Sequence, residues 1–309
     1  MEMSILLLRQ IAQLFMFIFL GWLLVRVKLL KTSDSKILSV IVLYLVTPCV
    51  IIDSFQVEFD QALLQGIALS LAAAILIHLV LIFGTKALVK PLKLTAVERA
   101  SVIYPNAASI IIPIVTAILG KEWVLFSAPF LLVQHSFLWS HCCALISGET
   151  KFNPKKILLN VNIIAIIVGV SLFFLRLPLP GLVREAMDSL GGVMGPLNMI
   201  VTGMLMAGVD LKATLRSGGV WKTAALRLAV FPLIAICLLK FTGMTALAPN
   251  GETILMVTLL TTCAPSAVAV TQISQVYSDQ GRYASFINVV TTLLCIITMP
   301  LVIGLYQIL

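Results

Sequence analysis

"YPNAASIIIPIVTAILG", residues 104–120, lies in an apolar stretch long enough to span a bilayer, yet it opens with Pro105 and Asn106 and carries Pro113 further on. A proline inside a helix removes one hydrogen bond and pushes the preceding residue out of helical geometry. Unpaired backbone groups in hydrocarbon are costly unless they find partners or line a cavity. A membrane helix interrupted in its middle, with an amide at the interruption, therefore calls for a physical reason.

The surrounding chain sets the context. Its 309 residues are 60% hydrophobic and 11% charged, with a mean hydropathy of +1.10, against about 25% charged residues in soluble domains. Ten apolar spans are read at roughly 4–25, 36–55, 62–85, 97–119, 123–146, 157–175, 186–209, 221–241, 252–277 and 284–306, each near the ~20 residues a bilayer needs. Glu2 ahead of the first run, Arg9 within it, and no small-x-small site before Trp22 mark that run as a first span rather than a cleaved leader.

The net charge of +8 is unevenly placed. One face receives Arg26, Lys28, Lys31 and Lys36, then Lys86, Lys90, Lys93 and Arg99, then Lys151, Lys155 and Lys156, then Lys212, Arg216 and Lys222, and finally Arg282. The other receives Arg9, Lys121, Arg176, Arg184 and Lys240, together with Glu58 and Asp60. By the positive-inside bias the rich face is cytoplasmic and both termini are extracytoplasmic. This is an orientation signal and not a nucleic-acid footprint. The six cysteines (Cys49, Cys142, Cys143, Cys237, Cys263 and Cys295) all fall in apolar segments without a C-x-x-C pair. They read as reduced packing residues, not a disulfide frame or a zinc site. The loops are too short for a nucleotide-binding domain, and no G-x-x-x-x-G-K-[ST], H-E-x-x-H or G-x-S-x-G occurs. ATP-driven pumping by this chain alone and hydrolase chemistry have no visible machinery.

A second interrupted stretch, "LLTTCAPSAVAVTQISQVYSDQG", spans residues 259–281 and breaks at Pro265. Pro113 and Pro265 are 152 residues apart, and Pro48 and Pro196 are 148 apart. The two offsets nearly agree and are close to half the chain. The expected fold is therefore an all-α integral membrane protein of ten transmembrane helices in two five-helix repeats, 1–150 and 151–309. Five is odd, so the second repeat is inverted, as in many secondary transporters. The fourth and ninth helices are the broken, crossing ones. The half-helices after Pro113 and Pro265 are expected to present free N–H groups and a partial positive charge at mid-membrane, suited to an anion. Asn106 adds a donor and an acceptor without full charge. No Asp or Glu lies near the middle of a span, unlike the carboxylate-dependent cation antiporters of similar architecture.

Other polar residues in the spans are candidates by position. Gln134, His135 and His141 lie on the fifth span, the histidines as candidates for proton coupling. Gln272 and Gln275 follow the second break, toward the cytoplasmic path. Asp53 is expected to reach water at its helix end, and Arg227 to snorkel to the inner face.

"YPNAASIIIP" resembles the fourth-helix motif of the auxin efflux carrier family, the PIN-like permeases that include bacterial malonate and malate carriers; Pro105, Asn106 and Pro113 fit its Pro-Asn-x6-Pro spacing. "APSAVAVTQISQVYSDQGRYAS" resembles the family's ninth helix, with Pro265 at the crossover and Tyr277 near the helix end, and "MPLV" at 299–302 resembles the end of its last helix. Length and span count agree, so the resemblance covers the whole chain. Ala108 and Ile111 stand where the family often has glycine. The resemblance implies a secondary carrier of small organic carboxylate anions in a plasma membrane, the inner membrane of a bacterium. Substrate would be held by Asn106, Ala107, Pro113, Pro265 and Ser266, with Thr47 beside Pro48 on the second helix and Gln134 on the fifth. Pro105, Pro113 and Pro265 would be the crossover prolines. The implied partners are the anion and the lipid bilayer, with a homodimer left open. No cofactor, catalytic residue or metal ligand is implied, and H+ and Na+ both remain open as coupling ions. Three other readings compete: a sodium-coupled organic-anion symporter of the related bile-acid-transporter-like fold, a non-transporting receptor or scaffold, for which no loop is long enough to carry a docking domain, and a membrane-embedded enzyme, against which the lack of a paired acid and base or a metal cluster counts.

Overall fold

The computed structural model describes residues 2–56, 61–148, 159, 161–208, 210 and 216–309. Apart from turns these residues are helical; among them there is no strand, only an isolated β-bridge. The helices are α1 (Glu2–Arg26), α2 (Thr32–Ser54), α3 (Gln61–Leu92), α4 (Ala96–Ile103), α5 (107–118) and α6 (Glu122–Ser147). They continue with α7 (Val161–Leu175), α8 (Gly181–Ala207), α9 (Gly218–Phe241), α10 (Gly251–Cys263), α11 (Val268–Tyr277) and α12 (Gly281–Ile308). Six of them, α2, α3, α6, α8, α9 and α12, are long and apolar enough to cross a membrane by length and composition. The expected fourth and ninth spans are the ones that split, into α4 with α5 and α10 with α11. Glu58, Asp60, Lys151, Lys155, Lys156, Lys212 and the expected boundary between the repeats lie outside the described residues.

Local sequence explains the starts, breaks and bends. α4 opens with a reciprocal cap: the Glu98 N–H donates to the Thr95 hydroxyl (3.2 Å), and the Thr95 N–H donates to the Glu98 carboxylate (2.8 Å). It ends where Pro105 forces Tyr104 into extended backbone (φ −103°, ψ 107°). Pro265 does the same to Ala264 (φ −61°, ψ 151°), ending α10. Other prolines do not stop their helices. Widened π turns at Val42–Val46, Ala107–Ile111 and Leu226–Val230 each end two residues before a proline, respectively Pro48, Pro113 and Pro232. The wider turn carries the chain past a residue that cannot donate.

This corrects the expectation for Pro113. It lies inside the helical run 107–118, where the π turn passes into α-helix, and the chain break belongs to Pro105. The proline that matches Pro265 in local geometry is thus Pro105, although the near-equal offsets had pointed to Pro113.

Two packing groups emerge. α1 lies along α8, and α2 packs on α7 and α8. The second group is α3–α6 with α9–α12, which share the main apolar core; Ile18 of α1 and Met199 of α8 join its edge. Buried Glu98 knits the starts of α4, α9 and α12. It accepts from the Tyr283 hydroxyl (2.7 Å) and lies 3.3 Å from the Lys222 ammonium. Phe19, Phe83, Phe174, Ile297 and Leu301 are exposed, an outer surface suited to lipid rather than water. All six cysteines are free; Cys142, Cys263 and Cys295 are buried as packing residues, whereas Cys237 is exposed.

The α1–α8 contact depends on glycine. A Cβ on Gly203 would collide with the Ile18 carbonyl oxygen, and one on Gly21 with the Ile200 carbonyl oxygen. Such close backbone approach is how helices associate where lipid removes the hydrophobic drive between them. Gly203→Val is expected to destabilise the purified protein by about 1–3 kcal/mol, the usual range for overpacking. Gly192→Ala, where an added Cβ meets nothing, should leave the melting temperature unchanged or slightly raised. Equal melting temperatures for wild type and Gly203→Val would refute the contact.

Candidate functional site

The two breaks meet. Pro105 and Ser266 form an antiparallel bridge: the Asn106 N–H donates to the Pro265 carbonyl (2.7 Å), and the Ala267 N–H donates to the Tyr104 carbonyl (2.9 Å). Residues freed by proline on one helix are thereby paired with those freed on the other. Side chains complete the pairing. Gln134 Nε2 on α6 donates to the Pro105 carbonyl (2.6 Å). Asn288 Nδ2 on α12 donates to the Ser266 carbonyl, and the Ser266 N–H donates to the Thr291 hydroxyl (3.1 Å).

Arg227 supplies the rest. Expected to snorkel, it is instead fully buried. Its Nη1 donates to the Val102 carbonyl at the end of α4 (2.7 Å), its Nε to the Ala264 carbonyl (2.9 Å), and its Nη2 to the Thr262 carbonyl near the end of α10. Each of these helix C-termini carries roughly half a negative charge. One guanidinium offsets both, which is why a buried cation can stand here facing carbonyls rather than a carboxylate.

The beginnings of α5 and α11 face a cavity of about 60 Å³. Thr47, Pro105, Asn106, Ala107 and Gln134, all expected at the site, line it, joined by His135, Asn198 and Ala267–Ala269. Pro265 and Ser266 sit behind this lining in the bridge, and Pro113 lies further along α5. The Thr47 hydroxyl is turned back to the Val42 carbonyl (2.8 Å). Asn106 makes no capping bond to its own helix. Its Nδ2, together with Gln134 Oε1 and Ser266 Oγ, is buried without a protein partner. Such atoms are rare unless something else completes them.

Ser39 and Gln272 line both this cavity and a larger one of about 690 Å³, which has Lys36, Gln275, Tyr277 and Arg282 on its walls. The Tyr104 hydroxyl donates to the Phe137 carbonyl (3.1 Å) and lies 2.7 Å from His141 Nδ1, so His141 braces the break from outside the cavity. Asp53 pairs with Arg184 at 3.6 Å.

Sequence reasoning missed Arg227 as a brace, and Asn288 and Thr291 altogether. A charge or amide inside an apolar span was the available signal, but spacing alone does not say which carbonyl it meets.

Long apolar helices, a hydrocarbon-compatible exterior and a polar cavity at paired helix breaks define a multi-pass membrane transport protein. The family model described as "Membrane transport protein" matches residues 6–154 and 149–303. The chain belongs to this family, that of the auxin efflux carriers and their PIN-like relatives. No individual curated protein matches it.

Arg227→Lys keeps the charge but cannot reach three divergent carbonyls. It is expected to lose about 1.5–3 kcal/mol, the worth of one hydrogen bond to a charged group. Arg227→Met leaves every carbonyl unmet and should lose more. Melting of the purified variants tests the order; a Met variant as stable as wild type would remove Arg227 from this role.

Proposed function

We propose that the chain is a secondary transporter of small organic carboxylate anions, working by alternating access with substrate held at the crossing of its broken helices. The proposed architecture is ten spans in two inverted five-helix repeats, 1–150 and 151–309, in a bacterial inner membrane with both termini extracytoplasmic. The two family matches meet at residues 149–154, close to this boundary, which supports it.

One observation carries the reading. Two helix N-termini open onto a cavity that also holds the unpartnered Asn106 amide N–H, and among the described residues no carboxylate lines it. Helix N-termini favour anions through free N–H groups and partial positive charge. The Asn106 amide adds a directional donor. The roughly 60 Å³ space is far below the several hundred Å³ of sites for drug-sized ligands, which favours a substrate of few atoms. The larger adjoining cavity gives it a route, with Lys36 and Arg282 on its walls to attract anions.

A thermal-shift screen of mono- and dicarboxylates identifies the ligand, and Asn106 then tests the site. Asn106→Ala is expected to weaken binding by about 1.5–3 kcal/mol. Asn106→Asp places a negative charge against the anion and should be worse at neutral pH. It should recover in part as the pH approaches the ordinary carboxylate range near 4, where the acid can donate. A purely structural Asn predicts the opposite order, because Asp caps helices well. An Asp variant that binds like wild type at neutral pH would exclude Asn106 as the carboxylate ligand.

Orientation is tested separately. In a background lacking native cysteines, a cysteine at position 90 should be shielded from an impermeant external thiol reagent in intact cells, and one at position 58 should react. Labelling of both would overturn the orientation.

A further inference from the structure

Among its described lining residues, the cavity where the two breaks meet holds one titratable side chain, His135. It is more than nine-tenths buried, and its ring is fixed. Nδ1 lies 2.7 Å from the Leu131 carbonyl. A carbonyl only accepts, so Nδ1 carries the hydrogen and Nε2 is left as the lone-pair edge. The neighbouring groups in the cavity are neutral: Ser39 and Thr47 from α2, Asn106 at the start of α5, Gln134 from the same helix, Asn198 from α8, and Gln272 from α11.

Among the described residues no other titratable group lines the cavity, neither Glu98, Arg99 and Tyr104 at α4, nor Glu252 and Cys263 of α10, nor Tyr277 of α11. His78 of α3 stacks between Phe130 and Phe137, with Nδ1 on the Ala74 carbonyl. His141 is bound to the Tyr104 hydroxyl. Cys142 is buried in the main core, and Glu122 is exposed at the start of α6. On α2, Tyr44 is exposed and Asp53 is paired with Arg184. α7 has no titratable residue.

The geometry points to His135 as the proton carrier of this transporter, making it a carboxylate–proton symporter; this rests on the carboxylate reading given above. In the empty cavity an imidazolium has no counter-charge, and burial penalises it. A carboxylate at the N-termini of α5 and α11 offsets that penalty. Anion binding therefore draws one proton from water in the adjoining cavity onto Nε2. The new N–H donates to a carboxylate oxygen, so the proton and the anion move together. After the site opens to the other side, the anion leaves, the imidazolium loses its partner, and the same proton is released there. No other bond is made or broken. A monocarboxylate crosses with no net charge and a dicarboxylate with one negative charge, so a proton gradient drives the substrate. The coupling is reciprocal: the anion strengthens proton binding by the same factor as the proton strengthens anion binding.

The test measures affinity of the purified protein for lactate and malonate at pH 6.5, 7.5 and 8.5. Wild type should lose roughly tenfold in affinity per pH unit at the alkaline end, the slope of one linked proton. His135→Gln and His135→Asn should bind with no such slope; Asn can still donate to the Leu131 carbonyl, which guards against a folding defect in the Gln variant. His141→Gln, outside the cavity, should keep the wild-type slope. A flat wild-type profile, or a wild-type slope in both His135 variants, overturns the proton role while leaving the anion site standing. Failure of wild type to bind either probe at any of these pH values sinks the carboxylate reading, and the symport proposal with it.

Discussion

A backbone group in hydrocarbon has no water to fall back on. The meeting of the α4–α5 and α10–α11 breaks answers that constraint. Each break exposes carbonyls and N–H groups that a continuous helix would have paired internally. The antiparallel bridge between Pro105 and Ser266 returns two of those bonds. Gln134, Asn288, Thr291 and Arg227 reach in from α6, α12 and α9 to complete others. Three helices are thus bound to the two breaks by the requirement to satisfy peptide groups, not by apolar contact alone. Of the side-chain atoms left unpaired, Asn106 Nδ2 and Gln134 Oε1 belong to residues that line the cavity.

The division of the half-helix ends follows. The C-terminal carbonyls of α4 and α10 converge on the Arg227 guanidinium, and the beginnings of α5 and α11 face the cavity. Their opposite partial charges would largely cancel at a crossing without such sorting. With the negative ends neutralised by a buried cation, the positive ends remain to act on whatever enters. Arg227 does not line the cavity, yet it settles the sign of the field there.

Much of this was legible in the sequence. The alternation of apolar runs and basic loops gave the helix pattern, because hydrocarbon thickness dictates span length. Asn106, Ala107, Thr47 and Gln134 were expected together and do share one cavity. Pro113 shows the limit of such reading. A proline declares that a hydrogen bond is missing, but not whether the helix stops or widens by a turn. At Pro105 and Pro265 it stops; at Pro48, Pro113 and Pro232 a π turn carries it through. The outcome depends on whether a partner backbone is available, and that is a tertiary fact. Arg227 was misread for a related reason. A cation near the end of a span normally extends to water, and only the folded chain brings three carbonyls within its reach.

The beginnings of α5 and α11 have a consequence for how such a carrier changes over evolutionary time. Their partial positive charge belongs to peptide groups, which every residue except proline supplies alike. Substitutions among Ala107, Val268 and Ala269 reshape the cavity without removing its attraction for negative charge. On the anion reading proposed above, a lineage can therefore drift from one substrate to another by point mutation while the preference for anions persists. Losing that preference would take the collapse of the crossing itself, not the replacement of a side chain.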